Sequence, residues 1–230
     1  MATVLLVRHG RTTANASGVL AGRTVGVALD EVGRDQAAST GERIAAVPVV
    51  AVVSSPLERC RQTTQHILEA QSRTPTFTLD PELTECDYGR WQGRTLAELA
   101  TEDLWSRVQS QPSAVVFPGG ESMTGMQARS VEAIRRRDAA IEAEHGPQAV
   151  WVAVSHGDII KSILADALGM HLDLFQRIDV GPASVSIVRY GTNRPTVHAT
   201  NTHAGDLSWL ARGVGPGDAP VGGGAGHEAP

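Results

Sequence analysis

The sequence predicts an α/β fold built on a parallel sheet, and three observations carry that expectation. Strand, loop and helix patterns alternate along most of the chain. Two apolar runs, Thr3 to Val7 and Ala149 to Val154, are nearly continuous, as strands buried on both faces are. Each run stops abruptly at a polar turn, Arg8-His9-Gly10 in one case and Ser155-His156-Gly157 in the other.

The elements follow in order. Thr3 to Val7 is a short, partly β-branched strand opening onto a polar loop. Asp30 suits the N-cap of a helix over about Glu31 to Ala46, where Val32, Ala37, Ile44 and Val47 make a rough helical stripe. Val49 to Val53 is a second buried strand. In SSPLERCRQTTQHILEA, Ser55 suits an N-cap and Pro56 the first helical position, where its missing N–H does no harm. Arg59 then falls in the first turns of that helix, just past the strand end.

Thr76 to Leu79 reads as a short strand leading into the loop ELTECDYGRWQG. Helical patterning over Leu96 to Val108 is broken between Gln111 and Gly120 by Pro112, Pro118 and Gly119, and a long helix follows from about Ser122 to Glu144. Ala149 to Val154 is a strand and Gly157 to Leu168 a helix that packs back. Ser184 to Tyr190 and Thr196 to Thr200, joined by GTNR, read as a closing hairpin. Residues 1–212 form one domain; residues 213–230, rich in Gly and Pro without an apolar period, read as a disordered tail.

The 230 residues carry a net charge of −5 and a pI near 5.9. That balance argues against a general affinity for nucleic acid or an anionic membrane, both of which reward a basic surface. No run reaches the ~18 apolar residues a membrane span needs. The opening MATVLLVRHG lacks the basic start of a secretory signal. Two cysteines, Cys60 and Cys86, are too few for a disulfide scaffold and lack metal spacing, so the expected setting is reduced and cytoplasmic. A homodimer is the default assembly.

Ligands of parallel sheets bind beyond the carboxyl ends of the strands. Three such ends deliver Arg8 and His9, Arg59, and His156. Two imidazoles and two guanidiniums meeting there make an anion pocket suited to a phosphoryl group. A neutral imidazole can attack phosphorus and form a phosphohistidine that water later hydrolyses. The transfer itself asks for in-line positioning and fixed positive donors around the equatorial oxygens. A leaving alkoxide needs a proton, and Glu82 and Glu85 both qualify by position.

With those residues in place, the chain resembles the histidine phosphatases, a family that includes cofactor-dependent phosphoglycerate mutases and many small-molecule phosphatases. The matching stretches, in the family's order, are VRHGRTTAN at 7–15, LDEVGRDQA at 29–37, SSPLERCRQTT at 54–64, LTECDYGRWQG at 83–93, FPGGES at 117–122 and VSHGD at 154–158. The resemblance implies a three-layer, largely parallel mixed sheet with helices on both faces and a helical lid within residues 91–145. It matches His9 to the phosphorylated histidine, Arg8 and Arg59 to the phosphate-binding arginines, and His156 to the second histidine. Glu85, which precedes Tyr88-Gly89 at the family's spacing, matches the proton donor. Asn15 and Thr12 match residues beside the phosphate, and Gly22 a backbone contact to substrate.

Cys86 and Leu96 stand where the mutases carry an arginine and a lysine, so the expected activity is hydrolysis of a small phosphorylated substrate, with mutase activity as the alternative. A silent phospho-ligand binding module is a third, disfavoured by the presence of all the core residues. No cofactor or metal is expected: His198, His203 and Asp206 fit no ligand spacing. His66, His145, His171 and His227 read as ordinary surface or core histidines, and Cys86 as a packing residue. His9 is expected on a loop rim outside the core.

Overall fold

The chain's structure, a computed structural model, describes residues 2–205 and 221–224. Strands β1 (Thr3–Arg8), β2 (Val49–Ser54), β3 (Thr76–Leu79), β4 (Val150–Ser155), β5 (Val185–Tyr190) and β6 (Pro195–Thr202) form a six-stranded sheet in the order β3-β2-β4-β1-β5-β6. The four strands from β3 to β1 are mutually parallel; β5 runs antiparallel to β1, and β6 antiparallel to β5. This is the α/β class the alternating pattern predicts, made mixed by the closing hairpin.

The near-continuous apolar strands are buried on both faces because each face carries its own helical layer. Successive side chains of a strand point to opposite sides. Leu5, Val7, Val52, Val152 and Val154 accordingly pack with Ile44, Cys60 and Ile67, on the side of α2 (Glu31–Ala45) and α3 (Glu58–Ala70). Val4, Leu6, Ala51, Val53, Trp151 and Ala153 join the larger cluster on the other side, with α6 (Met123–His145) and α7 (Gly157–Ala167). Trp151 at the centre of that layer has its indole N–H satisfied by Asp138 Oδ1 of α6 at 2.9 Å, so a large ring is buried without an orphaned donor.

The cap expected at Asp30 is present, and Ser122 caps the long helix as well. Asp30 accepts from the Gly33 N–H and Ser122 from the Gly125 N–H. Two boundaries differ. The pattern over 96–108 is divided into α4 (Leu96–Leu99), closed by a Thr95–Glu98 capping box, and α5 (Asp103–Ser110). The helix after β2 begins at Glu58, so Ser55 and Pro56 lie in the turn before it and Ser55 is not its cap. A short helix, α1 (Thr13–Ala16), closed by its own Thr12–Asn15 capping box, fills the loop after β1.

Residues 91–145 hold α4, α5 and α6, tied together by buried Trp91, Leu99, Val108, Phe117 and Met126. Of the Gly/Pro-rich tail, residues 221–224 are described, and they make a turn against the domain with Val221 only 2% exposed. The segment is apolar at one residue only, which a periodic reading cannot detect. Residues 213–220 and 225–230, His227 among them, lie outside the described residues.

Candidate active site

β1, β2 and β4 are neighbours and parallel, so their carboxyl ends share one edge of the sheet. Arg8 is the last residue of β1 and pairs in register with Ser155 of β4, which brings the following residues, His9 and His156, side by side. Their ring centroids are 5.3 Å apart at 62°. Arg59, in the first turn of α3, reaches between them: its Nε donates to His9 Nε2 at 3.2 Å, and its Nη2 lies 3.1 Å from His156 Nδ1. His9 is 3% exposed and His156 fully buried. The rim position expected for His9 is thus corrected: β5, on its far side, and the helical layers close around the strand end.

These bonds fix which ring nitrogen holds a proton. A carbonyl only accepts, so the His9 Nδ1 that sits 2.7 Å from the Gly10 carbonyl carries the hydrogen and Nε2 keeps its lone pair. A guanidinium only donates, so His156 Nδ1 is the acceptor and its Nε2–H points to Ser55 Oγ at 2.7 Å. Both rings titrate well below the usual histidine range, first because burial disfavours charge and then because Arg59 and Arg8 stand close by. At neutral pH they are neutral imidazoles.

Two guanidiniums supply the positive charge. Burial pulls Arg8 down to about 10, opposed by Glu85 and Asp158, so it stays charged at neutral pH. Arg59 Nη1 is buried and has no hydrogen-bond partner among the described residues, a donor left over for a ligand. Glu85 is 3% exposed; burial, and next the charge of Asp158, raise its carboxyl to about 7, against the opposing pull of the Cys86 N–H on Oε1 and of Arg59 and Arg8. His9, Arg59 and Glu85 line one small cavity together with Thr12, Asn15, Gly22, Tyr88 and Leu96.

The remaining expected residues are placed less directly. Thr12 and Asn15 line the cavity, but their side chains bond each other in the α1 capping box, Thr12 Oγ1 donating to Asn15 Oδ1 at 2.9 Å. The Gly22 carbonyl accepts from Arg59 Nη2 at 2.7 Å, at a φ of +52° that suits glycine. Glu82, the other proton-donor position, is absent from the cavity wall. Cys86 is packed in the large apolar cluster, as expected. His198 is exposed on β6 and His203 bonds Asn201; among the described residues no group of acidic, His or Cys side chains could hold a metal ion, and Asp206 lies outside them.

Several residues that shape the site were not visible in the sequence. Ser55, read as a helix cap, instead meets His156. Tyr88 donates to Asp158 at 2.7 Å behind the cavity. Glu121 pins two arginines: its Oε1 accepts from Arg23 at 3.0 Å and from Arg129 at 2.7 Å, and both arginines in turn donate to the main-chain carbonyl of Glu85. This clamp fixes the loop that presents Glu85. Its partners lie far apart in sequence, and the only hint was Glu121 itself, in FPGGES. Glu121→Ala takes the carboxylate from largely buried Arg129 and leaves Arg23, among the described residues, only its longer ion pair with Asp87 at 4.0 Å, and it is expected to cost about 1–3 kcal/mol of unfolding free energy, measured in urea. A loss below about 0.5 kcal/mol would mean the arginines hold the loop without it.

Comparison with known proteins identifies the family. The model of the histidine phosphatase superfamily (branch 1) matches residues 4–203. The chain is 34% identical over 190 residues to the bifunctional protein Rv2228c of Mycobacterium tuberculosis, covering 81% of this chain and 50% of that protein, so it spans about half the length of that relative. It is 31% identical over 191 residues to a probable phosphoglycerate mutase, GpmB, of Erwinia tasmaniensis, covering 82% and 85%. Among solved structures, a mycobacterial glucosyl-3-phosphoglycerate phosphatase in complex with VO3 matches with a TM-score of 0.76 at 28% identity, covering 87% of this chain and 98% of that one. The family match, running almost the whole described length, means that this chain belongs to the histidine phosphatase superfamily.

Proposed function

We propose that the chain hydrolyses small-molecule phosphomonoesters through a phosphohistidine on His9. The observation that carries this reading is a neutral His9 on the wall of a cavity that Arg59 also lines: the His9 Nε2 keeps its lone pair, engaged here by Arg59 Nε–H, and is freed for attack when the guanidinium turns to a phosphoryl oxygen. Nε2 attacks phosphorus while the ester oxygen departs on the opposite side. Arg8 and Arg59 stabilise the equatorial oxygens; His156 orients the Arg59 guanidinium through Nδ1 and adds an N–H to them only in the tautomer that carries its proton there; Glu85 protonates the leaving alkoxide. Glu85, now a carboxylate, then takes a proton from water, whose oxygen attacks phosphorus and releases orthophosphate and neutral His9. No step in this sequence calls on a metal, and turnover is expected to persist in EDTA. Loss that a divalent cation restores would overturn that part of the mechanism.

Hydrolysis is preferred to isomerisation because a mutase must also hold the acid group and second phosphate of its substrate. Cys86 is buried in the apolar cluster, and Leu96, on the cavity wall, presents a hydrocarbon where a mutase carries a lysine. The similarity to a probable phosphoglycerate mutase supports the second reading. Incubation with a panel of phosphorylated metabolites, assaying released orthophosphate and isomerised ester together, separates them. Phosphate release without isomer is expected; abundant isomer without phosphate would assign a mutase.

A further inference from the structure

Residues 221–224 sit against the phosphoryl-binding end of the site. Arg8 Nη2 donates to the Gly224 carbonyl at 2.7 Å and to the Gly222 carbonyl at 3.3 Å. The Gly222 N–H donates to Asp158 Oδ2 at 3.1 Å, the oxygen that also accepts from Tyr88. Val221 joins the large apolar cluster. Gly222 reaches its place at a φ of +74°, a conformation that favours glycine. An apolar anchor, a guanidinium and a carboxylate together make a specific seat.

With the segment seated, the cavity in front of His9 measures about 20 Å³, and Val221, Gly222 and Gly224 are part of its wall. That is room for about one water molecule. A phosphoryl group with its ester cannot enter until part of the wall moves. It must also take Arg8 Nη2 from two neutral peptide carbonyls, an exchange a dianion favours because charge-assisted bonds to a guanidinium are the stronger ones.

We infer that residues 221–224 are an internal competitor of the substrate, holding Arg8 and closing the cavity until an oxyanion displaces them. The inference rests on the phosphoryl-binding reading above. Its consequence is a penalty on affinity, because a ligand binds only the fraction of molecules whose segment is displaced.

The full-length Gly222→Pro variant tests it, since the proline ring cannot adopt a positive φ and lacks the N–H given to Asp158. Orthophosphate, titrated calorimetrically, is expected to bind the variant about tenfold more tightly than the wild type, equivalent to about 1.4 kcal/mol. KM for p-nitrophenyl phosphate should fall with it. Equal phosphate affinity in the two proteins overturns the competitor and leaves the proposed function standing; absence of phosphate binding in both overturns the two together. A measurement on the wild type covers the case of a misfolded variant: exchange of the Gly222 amide hydrogen should be slow alone and faster with saturating orthophosphate. Exchange that phosphate leaves unmoved counts against the inference.

Discussion

His9→Ala should lower kcat by at least about 10⁴-fold while the protein stays folded. The magnitude follows from losing the attacking group, as removal of a nucleophile elsewhere costs on the order of 10⁴- to 10⁶-fold. No neighbour can substitute: His156 Nδ1 is turned toward Arg59, and burial raises the Cys60 thiol to about 12. The fold should survive because, among the described residues, the His9 side chain bonds only its own turn and Arg59, in a pocket already lined by polar groups that water can enter. The melting temperature at neutral pH is therefore expected within a few degrees of the wild type. Rapid quench with labelled substrate should trap a phosphoryl group on the wild type and none on the variant. Residual turnover above about one percent, or a label that persists without His9, would remove this residue from its role.

How far the site could be read in advance depended on the kind of signal each residue leaves. Arg8, His9 and His156 are legible because a buried strand admits no charge, so the first polar residues mark its end, and parallel strands share that end. Arg59 lies close behind β2 for the same reason. Glu85 lies in a loop without period, and only the family resemblance, through the spacing to Tyr88-Gly89, singled it out from Glu82. Ser55 misled because Ser-Pro is also the signature of a helix start; in the structure α3 begins at Glu58 and the hydroxyl turns to His156. The Glu121 clamp joins α6 to the loops around Arg23 and Glu85, and a pairing across that many residues leaves no local trace. The break between α4 and α5 was hidden because the apolar spacing of Leu96, Leu99, Leu104 and Val108 runs on through it.

Glu85→Gln separates the chemistry from the fold, because the two should respond in opposite directions. A general acid must be protonated, and with its carboxyl at about 7 Glu85 carries the proton on the acid side of neutrality. Activity in the wild type should therefore decline as pH rises above about 7. On the acid side it should hold until well below the usual histidine range, where His9 takes a proton. Glutamine cannot donate to an alkoxide, so kcat/KM for an alkyl phosphate is expected to fall by about 10²- to 10⁴-fold and to lose its alkaline limb. For p-nitrophenyl phosphate, whose leaving group needs no proton, the loss should be much smaller. Stability moves the other way. The folded carboxyl titrates at about 7 and the unfolded one near 4.5, so its contribution is fully present below 4.5 and is lost as pH rises through 7. Above that pH the wild type must bury a carboxylate beside Asp158, at a cost on the order of 3 kcal/mol. The glutamine variant escapes this cost and should melt several degrees higher at pH 8, with the advantage gone by pH 4. A kcat/KM that falls as far for p-nitrophenyl phosphate as for the alkyl ester would mean that Glu85 is not the acid of the first step, and a variant no more stable at pH 8 would mean that its carboxyl is ionised in the folded protein.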